Sequence, residues 1–122
     1  MKETPIHILL VEDDPLWQEA VQDLLATNAR FTLSAVCEDF DDAMRAFEDA
    51  RPQMALLDWQ IKGMKDGLAV GEALLQKGLR PEQIVLISGS SPSSIPPHPF
   101  LYIPKNRISE DLMPLLESVT IH

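Results

Sequence analysis

Met54-Ala55-Leu56-Leu57-Asp58-Trp59 is a short apolar run that ends in a carboxylate. A run of this length without alternation suits a strand buried on both faces, as in a parallel sheet covered by helices. A carboxylate at the C-terminal end of such a strand lies on the sheet edge where open α/β folds take their ligands. Taken alone, Asp58 could equally end the strand and face water, and other stretches must decide.

The same pattern recurs on both sides. Ile6-His7-Ile8-Leu9-Leu10-Val11 predicts a central strand that runs into Glu12-Asp13-Asp14. Asp14 is a good N-cap with Pro15 at the first helical position, where a missing N–H costs nothing. The helix that follows puts Leu16, Trp17, Ala20, Val21, Leu24 and Leu25 on one stripe, and Thr27-Asn28-Ala29-Arg30 stops it. Phe31 to Val36 predicts a second strand, less purely apolar and nearer an edge. Glu38-Asp39-Phe40-Asp41-Asp42 caps a second helix, with Ala43, Met44 and Phe47 on its buried face and Arg51-Pro52 at its end. Acids are favourable at the positive end of a helix dipole, so a solvated helix start accounts for these without a metal role.

Beyond Trp59 a glycine-punctuated loop, Gln60 to Gly67, leads into a third helix through Leu68, Leu74 and Leu75 to about Lys77. Gln83 to Ser88 predicts the fourth strand and Phe100 to Ile103 a short fifth. Ser109 to Val119 predicts a last helix, interrupted by Pro114. The order is βαβαβαβ, a proline-rich link, then βα. That order predicts an α/β fold, a doubly wound five-stranded parallel sheet with helices on both faces and right-handed crossovers. Residues 1–122 are expected to form a single domain.

Composition narrows the function. The lone Cys37 excludes a disulfide framework, and no Cys/His spacing suggests structural zinc. No apolar run reaches the ~18 residues of a membrane span, and Met1-Lys2-Glu3-Thr4-Pro5 leads into no signal-peptide core, so a cytoplasmic protein is expected. The formal net charge of −9 argues against nucleic-acid binding by this surface and favours proteins or cations as partners.

Glu12-Asp13, Asp58, Ser88 and Lys105 all fall at the C-terminal ends of expected parallel strands, where they can share one crevice. Packed carboxylates repel, and a hard divalent cation with oxygen ligands relieves the repulsion; Mg2+ fits, since it keeps waters for exchange with a phosphate oxygen. A lysine and a hydroxyl supply a point charge and a donor for a phosphoryl group. Phosphoryl transfer to a carboxylate is a chemistry this set could support.

The chain resembles a response-regulator receiver domain of two-component signalling, of the chemotaxis-receiver type with a flavodoxin-like fold, over essentially its whole length. The residues that carry the resemblance are Ile8-Leu9-Leu10-Val11-Glu12-Asp13-Asp14-Pro15, Ala55-Leu56-Leu57-Asp58-Trp59, Gly63-Met64 with Asp66-Gly67, Leu86-Ile87-Ser88-Gly89, and Tyr102 three before Lys105. The resemblance implies that Asp58 is the phosphoacceptor and Asp13 a direct Mg2+ ligand. It implies further that Glu12 acts through a metal-bound water and that the Gln60 backbone carbonyl is a third protein ligand. Ser88 would hydrogen-bond the phosphoryl group, Lys105 would neutralise it, small Gly89 would leave it accessible, and Ser88 with Tyr102 would form the switch.

The chain also departs from the family pattern. Lys62 stands where the family has a proline, and the loop is one residue longer, at Lys65, before Asp66-Gly67. The family lysine is followed by a cis-proline; here Asn106 follows Lys105, and a cis bond without proline costs ~3 kcal/mol, so a trans bond is expected. Gly89 to Pro99 is eleven residues with four prolines, so the fourth family helix is expected to be reduced to one turn or absent. Pro96-Pro97-His98-Pro99 is expected to run as polyproline II, as a solvated connector or as a recognition segment, and the whole link is expected to be weakly held.

Two function classes stay open at this stage. One is a phosphorylated receiver fed by a sensor histidine kinase or phosphotransfer protein, with output through contact with an unknown downstream protein. The other is a pseudo-receiver, an interaction module that does not use phosphate. Neither is an enzyme acting on an external substrate: Gln60 stands where a phosphohydrolase would want a second acid. At most, Mg2+-dependent self-phosphorylation from small donors and slow autodephosphorylation are expected.

Overall fold

A computed structural model describes residues 4–120 of the chain; the first three and last two positions of the expected domain, and with them Met1 to Glu3 of the leader reading, lie outside the described residues. Nine regular elements follow in order: β1 (Ile6–Val11), α1 (Pro15–Leu25), β2 (Phe31–Cys37), α2 (Phe40–Ala50), β3 (Met54–Asp58), α3 (Gly67–Gln76), β4 (Ile84–Ser88), β5 (Leu101–Pro104) and α4 (Ile108–Thr120). Single 3-10 turns lie at Pro81–Gln83, Pro92–Ser94 and Lys105–Arg107.

The five strands form one sheet in the order β2-β1-β3-β4-β5, and each pairing is parallel. β2 is an edge strand, as its mixed composition predicts. One residue, Ser34, is bulged out of the β1–β2 register, and its hydroxyl donates to the Ile8 carbonyl at 3.1 Å. β1, β3 and β4 are buried on both faces, which is why their sequences read as apolar runs rather than alternating ones.

Alternate side chains of those runs feed two separate cores. Ile8, Leu10, Leu56, Val85 and Ile87 meet Val21 and Leu25 of α1 and Ile108, Leu112 and Leu116 of α4 on one face. Leu9, Val11, Leu57 and Leu86 meet Ala43 and Phe47 of α2 and Val70 and Leu74 of α3 on the other. The doubly wound α/β architecture is as predicted, with a single 3-10 turn where a helix between β4 and β5 would stand.

Three local expectations are corrected. Leu16 is not on the buried stripe: it is 76% exposed, because the sheet-facing line of α1 runs through Trp17, Val21 and Leu25, and Leu16 lies a helical step off it in the first turn. Pro114 does not interrupt α4, which is continuous; the proline is exposed, and burial of Ile108, Leu112 and Leu116 at four-residue spacing holds the helix across the missing N–H. The strand β5 begins at Leu101, since Phe100 turns into the core instead of pairing.

The proline-rich link has few buried contacts, as expected: Ile95 is the one buried residue of Gly89 to Pro99. Just beyond it Phe100 is buried in the same α2/α3 core, and His98 stacks on Phe100 with ring centroids 5.6 Å apart. Gly71 of α3 makes room for this, since a Cβ there would lie 2.5 Å from the Phe100 ring. Among the described residues there is no cis peptide bond, and no helix is long and apolar enough to cross a membrane.

Candidate functional site

The site stands on the C-terminal edge of β1, β3, β4 and β5. β3 delivers Asp58, and the ladder continues one step further as Trp59 N–H donates to the Ile87 carbonyl at 2.9 Å. The chain then leaves the sheet and returns so closely that Gly67 N–H donates to the Trp59 carbonyl at 2.8 Å. A Cβ on Gly67 would sit 2.1 Å from the Asp58 carbonyl oxygen, so only glycine lets the first turn of α3 pack here. Asp66 caps that turn through Ala69 N–H at 3.0 Å and accepts from the Trp59 indole at 3.2 Å.

β1 delivers the acidic pair. Glu12 and Asp58 are buried, 3% and 6% exposed, and Asp13 is half-buried. Carboxylate oxygens of Glu12, Asp13 and Asp58 all lie within 4.8 Å of one another. β5 and its following turn deliver Lys105, whose Nζ is 3.0 Å from Glu12 Oε1 and 3.2 Å from Asp58 Oδ2. β4 ends in buried Ser88, whose hydroxyl accepts from Ser90 N–H at 2.9 Å. Gln60 lies in the loop beyond Asp58 with its side chain exposed, and Tyr102 sits inside β5 with its hydroxyl donating to the Ser90 carbonyl at 3.2 Å.

The electrostatics follow from three carboxylates and one ammonium in a small space. Burial pushes the Glu12 carboxyl up to about 7; its hydrogen bonds to Lys105 and to Asp14 N–H oppose that, and the charge of Asp58 adds to it. Burial also works against the charge of Lys105, but the Glu12 hydrogen bond and the Asp58 charge outweigh it and hold the ammonium above the usual lysine range. The acidic groups outnumber the one ammonium that faces them, so the pocket is short of positive charge. A donor set made wholly of carboxylate oxygens, close enough to share one ion and short of positive charge, fits a hard divalent cation such as Mg2+ among Glu12, Asp13 and Asp58.

The lengthened loop beside Asp58 is fastened to the opposite rim. Lys62 N–H donates to the Glu38 carbonyl at 3.2 Å, and Lys62 Nζ pairs with Glu38 Oε1 at 2.6 Å. Lys65 lies 4.0 Å from the centroid of the Phe40 ring. The lysine in place of proline thus finds a partner across the crevice.

Three residues of this edge have roles that sequence reasoning did not assign. Gln18 donates to the Glu12 carbonyl at 2.7 Å and ties α1 to the end of β1. Asp66 caps α3 and holds Trp59. Trp17 presents its ring 5.0 Å from Lys105 Nζ. The signal available for Trp17 and Gln18 was position alone: both follow Asp13 by about one helical turn, on a helix whose N-terminus must lie at the same edge.

Comparison with known proteins agrees with this geometry. The chain matches the model of the response regulator receiver domain over residues 8–96. It is 26% identical over 88 residues to the probable C4-dicarboxylate response regulator DctR of Bacillus subtilis, an alignment that spans 72% of this chain and 38% of the relative's length. Among solved structures, the signal receiver domain of a modulated diguanylate cyclase from Desulfovibrio desulfuricans is similar at 25% identity, TM-score 0.76, with 95% of this chain and 94% of that chain covered. A two-component response regulator of the LuxR family from Aurantimonas shares the fold at 20% identity, TM-score 0.82, covering 95% of this chain and 85% of that one. With the match over residues 8–96 and the acidic, hydroxyl and lysine groups gathered at one sheet edge, the chain belongs to the response regulator receiver domain family.

Proposed function

We propose that residues 1–122 act as one cytoplasmic phosphoacceptor receiver, phosphorylated on Asp58 with Mg2+ by a sensor histidine kinase or phosphotransfer protein. The observation that carries the reading is the convergence of Asp58 with Glu12 and Asp13 within 4.8 Å and with Lys105 at 3.2 Å. A carboxylate oxygen of Asp58 attacks phosphorus, the O–P bond forms as the P–N bond of a phosphohistidine breaks, and the imidazole nitrogen keeps the electron pair and takes up a proton. Lys105 turns from Asp58 toward the arriving phosphoryl oxygens, and Ser88 offers its hydroxyl to one of them. When bound, Mg2+ supplies charge neutralisation at the carboxylates and at a phosphoryl oxygen. Asp13 and Asp58 would hold it, with the Gln60 backbone carbonyl, and Glu12 would reach it through water.

Output then passes to another protein through the surface around Ser88, Tyr102 and the link between β4 and β5. Incubation with Mg2+ and acetyl phosphate, followed by intact mass, tests the reading. One phosphate gained by the wild type and none by Asp58→Asn is the expected result. No gain in the wild type would make the chain a pseudo-receiver that works by contact alone.

A further inference from the structure

Lys105 is drawn to the site by the same carboxylates that a cation would occupy. Its ammonium is 3.0 Å from Glu12 and 3.2 Å from Asp58, and its side chain is only 15% exposed. A cation held among Glu12, Asp13 and Asp58 competes for those oxygens and repels a second positive charge. The backbone does not replace the lost attraction. Pro104, paired with Ser88 in the sheet, fixes where the lysine stem begins, but four flexible methylenes separate that point from the ammonium.

A further neighbour of the ammonium is an indole face. Lys105 Nζ lies 5.0 Å from the centroid of Trp17, inside the range of a cation–π contact, and tryptophan has the strongest such face. That attraction does not depend on the charge state of the carboxylates. Trp17 is also fixed relative to the site, because the first turn of α1 is bolted to the end of β1. Asp14 Oδ1 accepts from Leu16 N–H at 2.9 Å, Asp14 N–H donates to Glu12 Oε2 at 3.1 Å, and Gln18 donates to the Glu12 carbonyl at 2.7 Å. Building on the phosphoacceptor reading above, we propose that Trp17 is a positioning residue for Lys105, keeping its ammonium beside Asp58 when the acidic cluster is neutralised.

Trp17 also packs against the α1/α4 core, so the test must separate positioning from packing. Trp17→Leu keeps an apolar but smaller side chain and removes the π face, whereas Trp17→Phe keeps a weaker face. In the full chain, the initial rate of phosphate gain from acetyl phosphate with Mg2+ should fall roughly fivefold in Trp17→Leu and roughly twofold in Trp17→Phe. Added to Lys105→Met, Trp17→Leu should cause no further fall. A second readout needs no phosphorylation: acetic anhydride in the presence of Mg2+, with peptide masses read against Lys62 as internal reference. Lys105 should acetylate roughly threefold faster in Trp17→Leu than in the wild type.

Equal slowing with and without Lys105, or an unchanged Lys105 acetylation ratio, would overturn the proposal. Should the wild type take up no phosphate, the phosphoacceptor reading fails while the acetylation ratio still decides for or against Trp17. If Trp17→Leu loses cooperative unfolding, Trp17→Phe carries both measurements.

Discussion

Ser88 and Tyr102 are joined through one residue: Ser90 N–H donates to the Ser88 hydroxyl at 2.9 Å, and the Tyr102 hydroxyl donates to the Ser90 carbonyl at 3.2 Å. A displacement of the Ser88 hydroxyl therefore reaches the aromatic ring on β5 through a single backbone step. Ser88→Ala deprives Ser90 N–H of its acceptor and should cost about 1 kcal/mol in urea unfolding. Hydrogen exchange at the Ser90 amide should also speed up. An unchanged Ser90 exchange rate would show that the two residues are not coupled this way.

The close approach of α3 to β3 gives a sharper test. Gly67→Ala would drive a methyl into the Asp58 carbonyl, a backbone group that cannot swing aside. A loss of at least ~2 kcal/mol is expected, together with slower phosphate gain as Asp58 shifts. Gly78→Ala is the control: its φ of 114 disfavours any side chain, but nothing lies within 4 Å, so it should cost only ~1 kcal/mol and leave the site alone. Equal effects in both variants would refute the steric argument.

The anchoring of the β4–β5 link makes a prediction about a pair. Gly71→Ala should displace the Phe100 ring and destabilise by about 1–3 kcal/mol, the usual range for overpacking. In the Phe100→Leu background the same change should cost distinctly less. Additive costs, measured by a double-mutant cycle, would mean that the two residues do not press on one another.

Magnesium should stabilise the wild type by mass action, by about 2.7 kcal/mol at a hundred times its dissociation constant. Asp13→Ala should abolish that gain while the apo variant stays folded, because removing one carboxylate relieves repulsion with Glu12 and Asp58. Melting with and without Mg2+, with EDTA as the metal-free reference, gives the answer. An undiminished Mg2+ response in Asp13→Ala would place the cation elsewhere.

Cys37 offers a separate pH test. Burial, then the charges of Asp42 and Asp39, pushes its thiol up to about 11 from 9.0. A folded pKa above the unfolded one means that the folded state holds the proton longer. The contribution is therefore flat below pH 9 and turns against the fold between pH 9 and 11, with a slope of up to about 1.4 kcal/mol per pH unit. Urea unfolding at pH 8 and pH 10 should show a steeper decline in the wild type than in Cys37→Ala. Parallel declines would show that the thiol does not titrate in this way.

What could be read from the sequence was whatever a strand end imposes. Asp58, Ser88 and the Glu12-Asp13 pair each close an apolar run, and a parallel sheet brings such ends together whatever else the chain does. Lys105 was legible in the same way, at the end of the short fifth run. Side-chain direction was not. Leu16 fits helical spacing but falls off the buried line, and Pro114 carries a helix-breaking identity that tertiary burial overrides. Phe100 opens the short run that predicts the fifth strand, yet the gap left by Gly71 makes it a core plug. The lost helix was legible from its prolines, but the anchors that replace it were not, since Ile95 and Phe100 join a core built from residues distant in sequence.

The prolines of that link have one more consequence. Pro92, Pro96, Pro97 and Pro99 fix φ through covalent rings, so the segment needs no ladder of hydrogen bonds to keep its course. Its order is thus set largely in the unfolded chain, which has fewer shapes to lose; each such proline is worth roughly 0.4–1 kcal/mol where the backbone accepts it. A helix in the same place frays from its ends as its hydrogen bonds exchange with water. A strap stiffened by rings and pinned at two buried side chains does not fray in steps: it stays seated or lifts as a unit. The β4–β5 link should therefore move as a hinged plate, with its pivots at Ile95 and Phe100.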